Sequence, residues 1–171
     1  MANAITRKKF DSAVNALQFL QGGKATFTLQ SLRTSVHFTY RMNESEDGKC
    51  FFVSVLTGPD NTSRASYSYL GYISAESGEF RSSRKSRIAA SDKRFVAFDW
   101  SYRALSAGKL PGTLEVWHEG RCCRCGRALT VPESVASGLG PECAERVGVA
   151  RNAARLHARK SAEQLMCELL G

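Results

Sequence analysis

The sequence predicts an α+β fold in which an antiparallel β-meander is flanked by helices and followed by a small cysteine-rich module. Segments that alternate apolar and polar residues follow one another with short polar turns between them, which is typical of a meander. Two other segments place their apolar residues on one helical face. The chain has 171 residues, enough for one domain and a small satellite, and its 43% hydrophobic and 23% charged residues are close to the average of globular proteins. This composition excludes a disordered acidic chain, a collagen-like chain and a coiled-coil rod.

The first predicted element is a helix that begins at residue 7. Its apolar residues recur at steps of four, three and three: Phe10, Val14, Leu17 and Leu20. Thr6 is the expected N-cap, and Gly22 is the expected glycine after the C-cap. The three basic residues 7–9 would then lie in the first turn, where the helix dipole disfavours cations. We interpret this mismatch either as a small surface cost or as a hint of an anionic partner.

Four strands are predicted next. Residues 35–41 alternate as a half-buried strand, 50–57 form a more buried strand, 67–73 a third, and 25–29 a shorter one. Tyr67 and Tyr69 share one strand face. Such a face can stack single-stranded bases, although strand aromatics more often pack across a sheet.

A second helix follows a loop rich in Ser and Arg at 74–90. Ser91 is its expected N-cap and Gly108 the glycine after its end, and one face carries Phe95, Phe98, Tyr102 and Leu105. A strand from Leu114 to Trp117 then enters the cysteine cluster.

The chain is basic, with a formal net charge of +8. Acidic partners are therefore plausible: nucleic acid, an anionic protein surface or anionic lipid. Basic residues are spread along the chain, with local clusters at 7–9, at Arg81, Arg84, Lys85 and Arg87, and at Arg121, Arg124 and Arg127. Each cluster can also be simply a solvated surface.

Three cysteines have the spacing of a zinc site. Cys122 and Cys125 are separated by two residues and followed by Gly126, which is the spacing of a zinc knuckle. Cys143 follows Gly140-Pro141, and since proline favours the first helical position, Cys143 is expected in the first turn of a helix. A knuckle combined with a ligand on a helix N-terminus is typical of a treble-clef site. His118 is the expected fourth ligand, so the predicted Zn²⁺ site is Cys3His and structural.

Alternatives remain open at this site. Cys123 competes with its neighbours as a ligand, and a disulfide or a redox Cys-x2-Cys pair uses the same residues. A catalytic zinc would keep an open position for water, but the H-x-E…P-C-x2-C deaminase pattern is absent from the sequence. Cys50 and Cys167 are expected to be buried small apolar residues.

The cysteine-rich segment also carries a family resemblance. It contains Cys-x2-Cys-Gly-Arg-x-Leu-Thr-x-Pro-x-Ser, followed by Gly-x-Gly-Pro-x-Cys. Over residues 118–146 this resembles a small zinc-binding module of unknown function in phage and bacterial proteins. The resemblance implies zinc and a phage or prophage origin, but no established activity. Cys123 departs from the small residue expected there, and residues 1–117 match no family that we recognise.

The C-terminal segment is expected to be a helix from about 141 to 170 that packs on the zinc module. Arg151, Arg155 and Arg159 recur every fourth residue and form a basic stripe. The predicted domains are therefore residues 1–117, 118–146 and 147–171.

Taken together, these patterns favour a non-enzymatic, phage-type accessory protein that binds nucleic acid or a nucleic-acid-handling complex. The arginines at the knuckle, the cluster at 84–87 and the C-terminal stripe are the candidate contacts. The alternative is an inhibitor or adaptor that binds a host protein, for example a defence protein, through its basic surface. The sequence shows no leader and no bilayer-spanning stretch, so a cytoplasmic location in the host cell is expected.

Overall fold

A computed structural model describes residues 7–146, and these form an antiparallel sheet with helices, as the sequence predicts. The seven strands lie in the order β1-β7-β2-β3-β4-β5-β6, and every neighbouring pair is antiparallel. The elements in chain order are β1 (Lys8–Lys9), α1 (Ala13–Leu20), β2 (Lys24–Ser31), β3 (His37–Glu44), β4 (Cys50–Leu56), β5 (Tyr67–Ser74), β6 (Phe80–Arg81), α2 (Lys93–Ser106), β7 (Leu114–His118) and α3 (Pro132–Ser137).

The core lies between one face of the sheet and helices α1 and α2. Phe98 of α2 is at its centre, with its ring centroid 5.3 Å from that of Tyr40 and 4.7 Å from that of Phe80. Phe27 and Tyr102 complete this aromatic cluster. All five side chains are buried, so α2 is fixed against strands that are distant in sequence.

The predicted start of the first helix is wrong. Lys8 and Lys9 form β1 and pair with Trp117 and His118 of β7, and α1 begins only at Ala13. Ser12 is the N-cap, because its side chain accepts a hydrogen bond from the backbone N–H of Asn15. The basic residues therefore do not oppose the helix dipole. The buried residues also differ from the predicted face, because Val14 is 58% exposed.

The second helix differs from the prediction by one residue at its start. Asp92 rather than Ser91 is its N-cap, with a carboxylate oxygen 2.8 Å from the N–H of Arg94. Gly108 follows the helix with a φ of 74°, as expected of a glycine that ends a helix. The preceding segment was predicted as a loop but contains the short strand β6.

A bulge in β5 brings three tyrosines to the face of the sheet opposite the helices. Ser54 pairs with Tyr69 but Val53 pairs with Gly71, so one residue of β5 has no partner in β4. Leu70 and Ile73 are buried on the core side. The opposite face therefore carries Tyr67, Tyr69 and Tyr72, with Phe52 as the register partner of Tyr72.

The chain divides into two compact units, one ending at Leu139 and the other beginning at Gly140. Within the second unit, residues 141–146 are helical. The predicted C-terminal helix beyond them, its stripe of Arg151, Arg155 and Arg159, and Cys167 lie outside the described residues. Between residues 7 and 146, no helix has the length and apolar character needed to cross a lipid bilayer.

Candidate metal centre

The cysteine cluster begins where β7 ends. Gly120 and Gly126 adopt φ values of 71° and 77°, which residues with a side chain rarely adopt. Between them the chain folds back on itself: the N–H of Cys122 donates to the carbonyl of Arg127, and the N–H of Gly126 donates to the carbonyl of Cys122, both at 2.9 Å. Arg121 and Ala128 form an antiparallel bridge across this hairpin. The tight turn that the sequence predicts at Gly126 is therefore present.

Cys122, Cys125 and Cys143 form the one group of potential metal ligands found in the described part of the chain. Their sulfur atoms all lie within 4.8 Å of one another. Cys122 and Cys143 are buried, whereas Cys125 is exposed. Cys143 lies in the first turn of the helical segment 141–146, two residues after Pro141, as predicted. These three thiols could hold a metal ion.

His118 is not in this group, although the sequence suggests it as the fourth ligand. Its side chain is fully buried, with its ring 5.6 Å from that of Phe10 and 5.5 Å from that of Phe19. Its Nδ1 accepts a hydrogen bond from the N–H of Gly120 at 3.0 Å, and its Nε2 lies 2.7 Å from the carbonyl oxygen of Val135.

These two contacts fix the tautomer of His118. A carbonyl only accepts, so Nε2 carries the proton, and the lone pair of Nδ1 is used by a backbone N–H. Burial lowers the pKa of this imidazole below its ordinary value, which favours the neutral form. In this geometry neither nitrogen offers a lone pair to a metal ion, and His118 instead joins the end of β7 to helix α3.

Cys123 occupies a structural position behind the hairpin. Its side chain is buried beside Gly22, where an added Cβ would overlap its Sγ. Its N–H donates to the carbonyl of Gly138 at 3.0 Å, and its carbonyl accepts from the N–H of Lys24 at 2.6 Å. Cys123 therefore connects the knuckle with the start of β2, and it is not among the three clustered cysteines.

Sequence reasoning missed Glu119, a buried carboxylate at the end of β7 on the opposite face from the core. Its Oε1 accepts a hydrogen bond from the hydroxyl of Thr28 and lies 3.1 Å from a guanidinium nitrogen of Arg7. The Arg7 guanidinium also lies 5.6 Å from the ring centroid of Trp117. The alternation of β7 could have placed Glu119 on this face, but its partners come from distant segments.

The arginines of the knuckle differ in their surroundings. Arg121 is half-buried and donates from a guanidinium nitrogen to the carbonyl of Gly126 at 3.2 Å, so part of its donor capacity is used inside the hairpin. Arg124 and Arg127 are exposed. Their greater exposure makes these two side chains more accessible to an anionic partner than Arg121.

The basic cluster at 84–87 lies along β5, near the other edge of the sheet. The hydroxyl of Ser86 lies 2.8 Å from the carbonyl oxygen of Leu70, and the N–H of Arg87 donates to the carbonyl of Tyr69. Arg84, Lys85 and Arg87 are exposed. Within residues 7–146, none of the three has a carboxylate within salt-bridge distance.

Helix α3 was also missed, although two residues signalled it. Pro132 occupies the first helical turn and Gly138 follows the helix with a φ of 71°. Gly138 is also required by packing, because a Cβ there would overlap the ring of Phe19.

Comparison with known proteins gives one partial match. Residues 113–148 match a family of unknown function (DUF6011). The matched segment includes β7, the knuckle and Cys143. Neither the curated proteins nor the solved structures gave a match to this chain.

Proposed function

We propose that the three clustered cysteines bind a structural zinc ion whose fourth, closing ligand is a group other than these three thiols. Tetrahedral zinc with Zn–S bonds of about 2.3 Å places its sulfur ligands about 3.8 Å apart. The sulfur atoms of Cys122, Cys125 and Cys143 already lie within 4.8 Å of one another, so small side-chain adjustments suffice. Soft thiolates select zinc over magnesium or calcium, which prefer oxygen ligands. Bound zinc would link the hairpin at 120–128 to Cys143.

We further propose that this zinc-stabilised protein is a phage-type accessory protein that binds nucleic acid and acts without catalysis. The observation that carries this proposal is the set of exposed cations at Arg84, Lys85 and Arg87, which within residues 7–146 have no carboxylate at salt-bridge distance. By contrast, Arg81 and Arg94, which flank this cluster in the sequence, are paired with Glu79 and Asp92. Uncompensated cations are the groups that gain most from phosphate contacts, because binding releases the counterions of the nucleic acid.

The knuckle arginines provide a second set of candidate contacts. Arg124 and Arg127 project beside a site that carries about one net negative charge if three thiolates bind Zn²⁺. Part of their charge therefore balances the metal site, and we expect them to contribute less per residue than the cluster at 84–87.

Charge reversal with a matched control tests nucleic-acid binding. The variant Arg84→Glu/Arg87→Glu should weaken the binding of labelled oligonucleotides of every sequence. The logarithm of the association constant should also fall less steeply with the logarithm of the salt concentration, its slope decreasing in magnitude by about one for each lost phosphate contact. Arg33→Glu/Lys109→Glu changes the net charge equally at two other exposed positions and should have a much smaller effect. Absence of binding to single- or double-stranded DNA or RNA at low salt would contradict the proposal.

A second candidate function is an inhibitor or adaptor that binds an acidic host protein. A groove of about 680 Å³ lies between α2 and strands β2 and β3, and exposed Val36, Val96 and Trp100 contribute apolar surface to it. Arg33 and Lys93 line the same groove, so its charge favours an acidic segment. This function predicts a complex with a host protein that survives nuclease treatment and does not form with the variant Trp100→Asp. A complex that dissociates on nuclease treatment would contradict it.

A further inference from the structure

The face of the sheet opposite the helices carries a group of aromatic rings on β4 and β5. Phe52 and Tyr72 are cross-strand partners, and the ring centroid of Phe52 lies 6.3 Å from that of Tyr69 in an edge-to-face arrangement. Phe52 is 44% exposed, and the two tyrosines are half-buried. We refer to Phe52, Tyr69 and Tyr72 as the aromatic platform.

Other aromatic residues on this face are already engaged. The guanidinium of Arg41 lies over the ring of Tyr67, 4.2 Å from its centroid, and the Tyr67 hydroxyl donates to the carbonyl of Asn61 at 2.8 Å. Trp117 donates from its indole N–H to Glu115 at 3.1 Å, with Arg7 near its ring. The bulge in β5 is what adds Tyr72 to the same face as Tyr69, despite their odd spacing in the sequence.

The exposed cations of the loop at 84–87 lie directly beside this platform, and within residues 7–146 none of them has a carboxylate at salt-bridge distance. The backbone N–H of Arg87 is bonded to Tyr69, and the loop that carries Arg84 and Lys85 is held to the same strand by Ser86. Arg81 is the register partner of Tyr72. Exposed rings and a row of cations therefore occupy adjacent positions along β5.

We propose that the aromatic platform stacks the unpaired bases of a single-stranded nucleic acid while the loop at 84–87 contacts its phosphates. This inference rests on the nucleic-acid binding proposed above and specifies its ligand. A duplex keeps its bases stacked on one another and offers only phosphates to this surface, whereas a single strand offers both phosphates and base faces. Stacking on aromatic side chains tolerates any base, so little sequence preference is expected.

The test compares a fluorescein-labelled 12-nucleotide oligothymidylate with a duplex of the same length, using the full chain loaded with zinc. The wild type should bind the single strand more tightly. Phe52→Ala/Tyr69→Ala should weaken single-strand binding at least about 25-fold, from roughly fivefold or more for each lost stacking partner, and leave duplex binding unchanged. An oligouridylate should behave like the DNA strand, because the platform presents rings rather than groups that read a 2′-hydroxyl.

Two control variants separate stacking from folding. Trp100→Ala removes a 51% exposed aromatic residue from α2, on the other side of the sheet, and should leave binding unchanged. Phe52→Tyr keeps a ring at the platform and should retain most of the affinity. In a strand that contains 2-aminopurine, the fluorescence change that accompanies base stacking should occur with the wild type and be absent with Phe52→Ala/Tyr69→Ala.

The outcomes distinguish the two proposals. Salt-sensitive binding with equal affinity for single strand and duplex, or unchanged by the platform substitutions, would overturn the stacking proposal and leave nucleic-acid binding intact. Absence of binding to either form at low salt would overturn both.

Discussion

The exposure of Cys125 allows the contribution of the proposed zinc ion to stability to be measured almost free of packing effects. Cys122 and Cys143 are buried, so replacing either also disturbs the interior. Cys125 is exposed, and a surface substitution such as Cys125→Ser changes the free energy of unfolding by no more than about 0.5 kcal/mol when no metal is bound. Any larger effect must come from lost zinc binding.

The expected size of that effect follows from linkage. Free zinc at about 1,000 times its dissociation constant stabilises the folded state by about 4 kcal/mol. For a chain of this length, this corresponds to a rise in Tm of about 8–16 °C. Removing one of three thiolates should abolish most of this rise, so Cys125→Ser should melt well below the wild type in zinc but within about 2 °C of it in a chelator.

Thermal unfolding with buffered zinc and with chelator, followed by circular dichroism, measures this difference. Cys50→Ser is the matched control, because Cys50 lies in β4 outside the cluster and its effect should be the same in both buffers. Equal destabilisation by Cys125→Ser with and without zinc would refute the metal-site reasoning. So would a wild-type Tm that does not respond to zinc.

Two further predictions concern buried side chains. His118→Gln should keep one zinc per chain by elemental analysis. It should lower the free energy of unfolding by about 1–3 kcal/mol, because the buried N–H of Gly120 or the carbonyl of Val135 loses its hydrogen-bond partner. Loss of zinc from a folded variant would instead make His118 a ligand. Burial lowers the pKa of His118, so the neutral imidazole stabilises the folded state. This contribution to the free energy of unfolding is fully present above the unfolded pKa of about 6.5 and is lost as pH falls through the lower folded pKa. Urea titrations at several pH values should find this pH dependence reduced in His118→Gln. Phe98→Ala should lower the free energy of unfolding, measured by urea denaturation, by about 3–5 kcal/mol, because it leaves a cavity among four aromatic rings. A decrease of less than about 1 kcal/mol would contradict the packing described.

The elements that the sequence predicts well are those determined by local patterns. Alternation located strand β3, a run of apolar residues located β4, and the shared face of Tyr67 and Tyr69 located β5. The face of α2 was correct at Phe95, Phe98, Tyr102 and Leu105, all of which are buried. The knuckle was recognisable because its spacing and its glycine follow from the geometry of a single tight turn.

The errors occur where a distant partner determines the structure. Residues 7–10 fit a helical pattern, but Lys8 and Lys9 pair with β7, more than 100 residues away, and the N–H of Phe10 donates to the carbonyl of Val116. Periodicity contains no information about such pairing. That His118 is the fourth ligand stays a prediction; in this structure both of its nitrogens contact backbone groups, of Gly120 and Val135.

The order of the strands also limits how the basic residues can act together. Four strand spacings separate β7, which leads into the knuckle, from β5, which carries the loop at 84–87, and this amounts to about 19 Å. Between them, the guanidinium of Arg41 on β3 binds the carbonyls of Asn61 and Thr62, so the β4–β5 loop reaches over the open face. A strand stacked on Phe52 and Tyr69 would have to pass this loop to reach Arg124. The net charge of +8 therefore does not describe one binding surface, and the platform and the knuckle are better treated as two separate candidate sites. Of these, the platform has both the rings and the cations that, within residues 7–146, have no carboxylate at salt-bridge distance.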